Sequence, residues 1–287
     1  MHPAIRPDAV AVVTGAAAGI GYAIAARLAT EKMILVMCDK DGHALAAAAG
    51  RLQSVTPSAR LVLVTGDIAD DAVQQRLHDE AFEHGEVAML VNNAAITRSA
   101  GPWEAPERWR TLMEINFWSA LRLQQLFVPR LLAQVGHSAI VNLGSKEGIT
   151  TPPGNAAYAV SKAALRVLTE QLAHELRQGT DRVSAHLLIP GYTFTPMNFP
   201  GANAASVKPP APWSADQVAQ RMVESMSAGD FYLFCQDNEV SRELDQRRMQ
   251  WSADDLILNR PALSRWHPDY REQFAAWVGD VAPPRAV

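Results

Sequence analysis

Thr14-Gly15-Ala16-Ala17-Ala18-Gly19-Ile20-Gly21 lies between a short apolar run at 9–13 and a stretch of helical composition at 19–31. The setting is strand, turn, helix. Gly15 permits a tight turn, Gly19 a close backbone approach, and Gly21 the packing of the helix against the strand. The first turn of such a helix presents free N–H groups and the positive end of its dipole to an anion. The stretch therefore predicts a dinucleotide site, with the pyrophosphate at the start of the helix.

Working outward from the turn, further runs rich in Val, Ile and Leu recur at 33–38, 60–64, 87–91, 138–143, 183–189 and 231–235. Between them lie helical stretches at 44–54, 71–84, 115–134, 155–177 and 215–227, and Pro129 should kink the third of these five. Apolar strands alternating with helices mark a parallel sheet covered on both faces. The expected fold is α/β, a doubly wound (Rossmann) sheet of seven parallel strands in one domain at 1–238. A helical extension at 239–287 should pack on that domain. The segment 192–213 holds five prolines, which rules out one regular element and suits a functional flap.

The bulk composition narrows the partners. With 48% hydrophobic and 20% charged residues and a net charge of -4, the 287-residue chain reads as an ordinary soluble protein with a small-molecule partner. Nothing in that charge attracts nucleic acid or anionic membrane. Residues 1–7 lack the apolar core of a secretory signal, and no run approaches the ~20 apolar residues of a span, so a cytoplasmic location is expected. Cys38 and Cys235 sit in strand-like runs and read as buried hydrophobes rather than a disulfide. Eight histidines without ligand spacing, and no HExxH or CxxC, give a metal site no support.

Asp39 ends the second run, about twenty residues beyond the turn, where a carboxylate accepts bonds from both ribose hydroxyls of an adenosine. It repels a 2'-phosphate, and the turn itself carries no Arg or Lys, so NAD is favoured over NADP despite Lys40. Asp67, before Ile68, is placed to meet the adenine amino group, with a turn-forming role as the competing reading.

Tyr158 and Lys162 stand four residues apart, on one helix face. A tyrosine with a pKa near ~10 is a poor base at neutral pH, and lowering it by about three units takes roughly 4 kcal/mol of preferential phenolate stabilisation. A neighbouring Lys and a positive nicotinamide both contribute to it. The spacing alone is common on any helix. Three features strengthen it: Ser145 at the end of the fifth run, thirteen residues earlier; Asn116 inside a helix, where Asn is unfavourable unless bonded; and Asn92-Asn93-Ala94-Ala95 closing the fourth run.

With these motifs in order from Ala9 to Phe234, the chain resembles the short-chain dehydrogenase/reductase family. The resemblance implies a tetrad: Tyr158 as acid/base, Lys162 on the nicotinamide ribose and tuning Tyr158, Ser145 orienting the substrate oxygen, and Asn116 holding a water that relays protons from Lys162. It implies cofactor contacts from Gly15, Ala18, Gly19, Ile20, Gly21, Asp39, Asp67 and Ile68. It places Asn93 and Ala94 beside a ribose, and Pro190, Gly191, Thr193 and Thr195 at the nicotinamide with Tyr158 and Lys162. It also suggests a homodimer or homotetramer through the long helices bearing Asn116 and Tyr158.

Two departures stand out beside Ala95, which replaces a usual glycine. Lys146-Glu147-Gly148 puts charge where small residues are commoner, and a solvated loop is favoured over the pocket mouth. The extension carries Val240, Leu244, Trp251 and Leu258 at roughly heptad spacing, with a helix from Asn238 and a second start at Ser252, where Asp255 completes a capping box. It should dock as a stabilising contact or, more sharply, cover the cleft against water.

The expected activity is NAD-dependent oxidation of a secondary alcohol, or the reverse reduction of a ketone. An NADPH-dependent reductase of carbonyls or 3-oxoacyl thioesters is the alternative. A non-catalytic nucleotide-binding regulator is disfavoured because all four tetrad residues are present. A serine hydrolase is disfavoured because Ser145 lies outside a GxSxG elbow. Tyr192, Phe194, Met197 and Phe199 make the flap apolar, either for the substrate or for the packing of the flap itself.

Overall fold

A computed structural model describes residues 1–202 and 206–279, so three flap positions and the last eight of the extension lie outside it. The chain runs β1 (Val10–Thr14), α1 (Gly19–Thr30), β2 (Ile34–Asp39), α2 (Gly42–Val55), β3 (Arg60–Thr65), α3 (Asp71–Glu83) and β4 (Val87–Asn92). It continues with α4 (Pro106–Met113), a π-turn (Glu114–Trp118), α5 (Ser119–Ala133), β5 (Ser138–Leu143), α6 (Glu147–Thr150), α7 (Ala156–Gly179) and β6 (Val183–Ile189). Two short strands, β7 (Thr193–Phe194) and β8 (Trp213–Ser214), precede α8 (Ala215–Ser227), β9 (Tyr232–Phe234), α9 (Arg242–Ile257) and α10 (Arg271–Val278).

Seven strands form the main sheet in the order β3-β2-β1-β4-β5-β6-β9, and every pairing is parallel. The strand order reverses beside β1, and the crevice there is where open α/β sheets take ligands. Alternate side chains feed two cores. Ala11 and Val13 of β1 pack on the side of α1, α2 and α8, with Ile24, Leu28, Leu52 and Met222. Val10 and Val12 pack on the other side with Leu77, Phe127 and Leu176 of α3, α5 and α7. Burial on both faces is why β1 and β4 read as near-continuous apolar runs.

The seven expected strands and six helices all form, but the helix expected from 115 begins earlier. Pro106 takes the first position of α4, and that short, largely polar helix buries only Leu112, so no apolar stretch marks it in the sequence. The run passes through Pro129, and its irregularity is the π-turn, which carries Asn116. The flap is tied at its base: β7 pairs with β8, and Trp213 N–H donates to the Tyr192 carbonyl at 2.9 Å. Tyr192 and Phe194 pack against Phe199, with ring centroids 5.5 and 4.8 Å apart.

Expectations for the extension need correction. Ser241, not Asn238, starts α9, accepting from Leu244 N–H at 3.1 Å. Ser252 lies mid-helix and starts nothing, because Asp255 instead accepts from the Ser264 N–H at 3.0 Å and hydroxyl at 2.5 Å. Trp251 is the hub: it is buried, donates to Ser264 Oγ at 2.8 Å and packs edge-on against Phe274. Leu258, at 59% exposed, is not part of that contact. Cys38 and Cys235 are buried free thiols. Among the described residues no helix is long and apolar enough to cross a membrane, and no group of three His, Cys, Asp or Glu could hold a metal.

The glycine turn is the tightest point of the fold. A Cβ added to Gly21 would overlap the Gly15 carbonyl oxygen and stand 2.5 Å from Asn93 Nδ2. Gly21→Ala should therefore cost about 1–3 kcal/mol or more by overpacking, a loss of several degrees in Tm. Gly50, inside α2 with open space around its Cβ position, is the control: Gly50→Ala should gain about 0.5–1 kcal/mol. Thermal melts of the two variants check both signs.

Candidate active site

Where β1 turns into α1, Gly15 and Gly19 take φ of +64° and +55°, conformations that an L side chain rarely adopts. Four helices, α2, α3, α8 and α9, have N-caps whose side chains accept from the first turn, namely Asp41, Asp70, Ser214 and Ser241. At α1 the cap is Ala18, which offers no such acceptor. Its first N–H groups are left for water or an anion, and a Cβ at Gly15 would stand 3.0 Å from Ala94 Cα, so glycine keeps this cradle open. A dinucleotide pyrophosphate fits that cradle.

The turn is pinned from beneath by Asn93, whose amide donates to the carbonyls of Thr14 at 2.8 Å and Gly15 at 3.2 Å. Thr14 Oγ1 in turn accepts from the N–H groups of Asn93 and Ala94, each at 3.0 Å. Asp39 ends β2 beside the turn, its Oδ2 accepting from Ala17 N–H at 3.1 Å. Arg51 of α2 reaches the same loop, 3.5 Å from the Ala17 carbonyl, so a cation stands at the turn although the turn's own sequence has none.

A cleft of about 420 Å³ opens over the C-terminal ends of the strands, lined at one end by Gly15, Ala18, Gly19, Ile20 and Asp39. Asn93, Ala94, Ser145, Tyr158, Pro190, Gly191, Thr193 and Thr195 continue its wall. Asp67 and Ile68 line a smaller adjoining hollow with Lys40 and Ile96, and Asp67 Oδ1 also accepts from Ala69 N–H at 3.0 Å, the turn-forming reading. Gly21, Asn116 and Lys162 stand behind the wall rather than in it.

Ser145 and Tyr158 both line the floor of the cleft, where the Ser145 hydroxyl favours the Tyr158 phenolate. Burial nonetheless pushes Tyr158 up to about 12, with the Ser145 hydroxyl opposing and the charge of Glu147 adding to the rise. Lys162, fully buried, donates from Nζ to the Leu143 carbonyl at 2.6 Å and lies 5.7 Å from the centre of the Tyr158 ring. Desolvation pulls its pKa down to about 7. The protein alone therefore shifts both groups toward their neutral forms. Asn116 is committed to Ile96, accepting from its N–H at 2.9 Å and donating to its carbonyl at 3.0 Å, and donates to Ser161 Oγ at 3.2 Å. A π-turn at this point is a rare geometry that concentrates at functional sites.

Lys146 and Glu147 line the cleft beside Ser145, which corrects the expectation of a solvated loop. Tyr192 and Met197 of the flap also line it, with Pro196 and Asn198, whereas Phe194 and Phe199 do not. No described residue of the extension is in the lining, so α9 and α10 do not cover the cleft.

A parallel sheet reversing over an uncapped glycine turn defines a doubly wound dinucleotide-binding protein. Within that class, the chain belongs to the short chain dehydrogenase family, whose profile matches residues 9–203. A 1-deoxy-11-beta-hydroxypentalenate dehydrogenase of Streptomyces exfoliatus is 35% identical over 260 residues, covering 89% of this chain and 93% of the relative. The crystal structure of a short chain dehydrogenase/reductase from Burkholderia phymatum in complex with NAD superposes with a TM-score of 0.79 at 28% identity, covering 88% of this chain and 96% of that one. L-Sorbose reductase from Gluconobacter frateurii, complexed with NADPH and L-sorbose, superposes with a TM-score of 0.67 at 25% identity, over 77% of this chain and 90% of that one. The chain is accordingly an oxidoreductase of the nicotinamide-dependent kind.

Proposed function

We propose that the chain is an NAD-dependent dehydrogenase that oxidises a secondary alcohol to a ketone, and reduces it in reverse, with Tyr158 as acid/base. The observation that carries the reading is that Ser145 and Tyr158 line one cleft together with the glycine turn and Asp39. Ser145 holds the substrate oxygen, and Tyr158 takes its proton. Lys162, close behind the Tyr158 ring, holds the nicotinamide ribose and favours the phenolate. Asn116 secures the 94–96 loop through Ile96 and holds a water behind Lys162 for proton relay.

The cofactor is bound by the backbone of Gly15, Ala18, Gly19 and Ile20 at its pyrophosphate, with Gly21 packed behind them. Asp39 takes the adenosine ribose, Asp67 and Ile68 the adenine, Asn93 and Ala94 the second ribose with Tyr158 and Lys162, and Pro190, Gly191, Thr193 and Thr195 the carboxamide. When bound, nicotinamide accepts the hydride from the carbinol carbon. The charge of Asp39 favours NAD over NADP, as does the likeness to a structure in complex with NAD. Arg51 favours a second reading, an NADPH-dependent carbonyl reductase, because it supplies a cation beside Asp39.

The substrate end, with Tyr192, Pro196 and Met197, suits an alcohol on an apolar skeleton, in keeping with a relative named for a hydroxypentalenate. Exposed Trp118, Val160 and Val167 on the π-turn and α7 support a homo-oligomeric contact through those helices. The test is NAD and NADP reduction with 1-deoxy-11-beta-hydroxypentalenate, a hydroxysteroid, an aryl carbinol and galactitol. Faster reduction of NAD by one of the apolar alcohols is expected. Reduction of NADP alone would favour the second reading, and no reduction of either cofactor would count against both.

A further inference from the structure

The extension does not line the cleft, yet it reaches the residue next to Ser145. Lys146 Nζ lies 2.5 Å from Asp245 Oδ2 and 3.5 Å from Asp237 Oδ2. All three are poorly exposed, with side chains 17, 5 and 6% accessible respectively. Asp245 sits in the first turn of α9, and Asp237 lies just past β9.

The same cluster holds the root of the flap. Asp237 Oδ2 accepts from Tyr192 N–H at 3.3 Å, and its Oδ1 accepts from the N–H groups of Glu239 at 3.1 Å and Val240 at 2.7 Å. Gly191 is packed so closely that an added Cβ would stand 2.9 Å from Lys146 Nζ and 3.0 Å from Asp237 Oδ2. One buried ammonium thus joins the Ser145 loop, the flap root and the extension.

We propose that Asp245 is a positioning residue of the active site: by holding Lys146, it fixes the Ser145–Glu147 loop and the flap root against each other. The inference rests on the assignment of Ser145 to the substrate oxygen. A buried ion that loses one partner is drawn to whatever partner remains. Without Asp245, Lys146 is left with Asp237, and the backbone at 145–147 moves with it. Ser145 Oγ, which accepts from Glu147 N–H at 3.1 Å and shares the cleft lining with Tyr158, then loses its alignment. The extension becomes a buttress behind the cleft wall, and the flap root and Ser145 respond to it together.

The test uses Asp245→Asn and Lys146→Met in the full chain, with the alcohol that the preceding panel oxidises fastest as substrate. Each variant should lower kcat about tenfold while NAD affinity stays within about twofold, and the double variant should be no worse than the poorer single, since both act through one contact. Hydrogen exchange should quicken at 145–150 and 191–194 in Asp245→Asn and stay unchanged at 15–21. A folded Asp245→Asn with wild-type kcat and KM, or unchanged exchange at 145–150, overturns the proposal. So do additive losses in the double variant. If Asp245→Asn does not fold, the paired change Lys146→Met with Asp245→Leu removes both charges and decides by the same kcat and exchange criteria. Tyr158→Phe serves as the control: if it retains turnover, the acid/base reading fails, whereas an inactive Tyr158→Phe beside an unaffected Asp245→Asn removes the buttress alone.

Discussion

Tyr158→Phe should lower kcat for alcohol oxidation about 10²- to 10⁴-fold, the usual contribution of a positioned acid/base, while NAD affinity changes less than about threefold. The substitution removes one oxygen from the floor of the cleft and leaves the ring in place. Ser145 keeps its bond from Glu147 N–H, and Lys162 keeps its bond to the Leu143 carbonyl. The pH profile supplies the sign. Burial holds Tyr158 near 12 in the protein alone, so its base form is scarce at neutral pH. The positive charge of bound oxidised nicotinamide, and the ammonium form of Lys162, favour the phenolate. Oxidation should therefore rise with pH through one ionisation below 12, and Tyr158→Phe should flatten that rise. Equal kcat in wild type and variant, or the same pH slope in both, would remove Tyr158 as the base.

Asp39→Asn should weaken NAD about 10- to 100-fold and raise the ratio of NADP to NAD utilisation. The carboxylate is fixed at both oxygens, by Ala17 N–H at 3.1 Å and Asp41 N–H at 3.2 Å, so it is already oriented at the edge of the cleft. Its loss as a charged acceptor costs about 1.5–3 kcal/mol in total, because the amide oxygen that replaces it still accepts from one hydroxyl. Once neutral, the site offers a 2'-phosphate the guanidinium of Arg51 and the exposed ammonium of Lys40 without a repelling carboxylate. Isothermal titration of both cofactors against both proteins checks the shift. Wild-type binding of NADP tighter than NAD would contradict the role given to Asp39.

The parts of this molecule legible in its sequence are those whose cause is local. The glycine turn is one strand, one bend and one helix start, and the strands of a sheet buried on both faces announce themselves by their apolar runs. Ser145 and Tyr158 were readable by spacing because each stands at the C-terminal edge of the sheet on an element of its own. What was not readable depends on partners distant in the chain. Asp245, in the first turn of α9, reads as a favourable acid at a helix start, and only the fold shows it buried against Lys146, ninety-nine residues earlier. Arg51 carries no motif at all, yet α2 delivers it to Ala17. Asp255 had the spacing for a capping box with Ser252 and was engaged instead by Ser264, which no local rule anticipates. The heptad pattern overreached in the same way: it grouped Trp251 with Leu258, but α9 ends at Ile257 and leaves Leu258 exposed. Lys146 and Glu147 were conspicuous as charges beside Ser145, and their place in the cleft wall was set by the C-terminal partners rather than by the loop sequence.

The central claim is hydride transfer from a carbinol carbon in this cleft, and isotope transfer tests it most directly. The panel alcohol that supports the fastest reduction is supplied with deuterium on its carbinol carbon, together with NAD, and the reduced cofactor and ketone are analysed by mass spectrometry. Wild-type protein should give ketone and reduced cofactor in equal amounts, with one deuterium on each reduced nicotinamide, and Tyr158→Phe should give neither above background. Reduced cofactor without deuterium, or the same yield from Tyr158→Phe, would contradict the account.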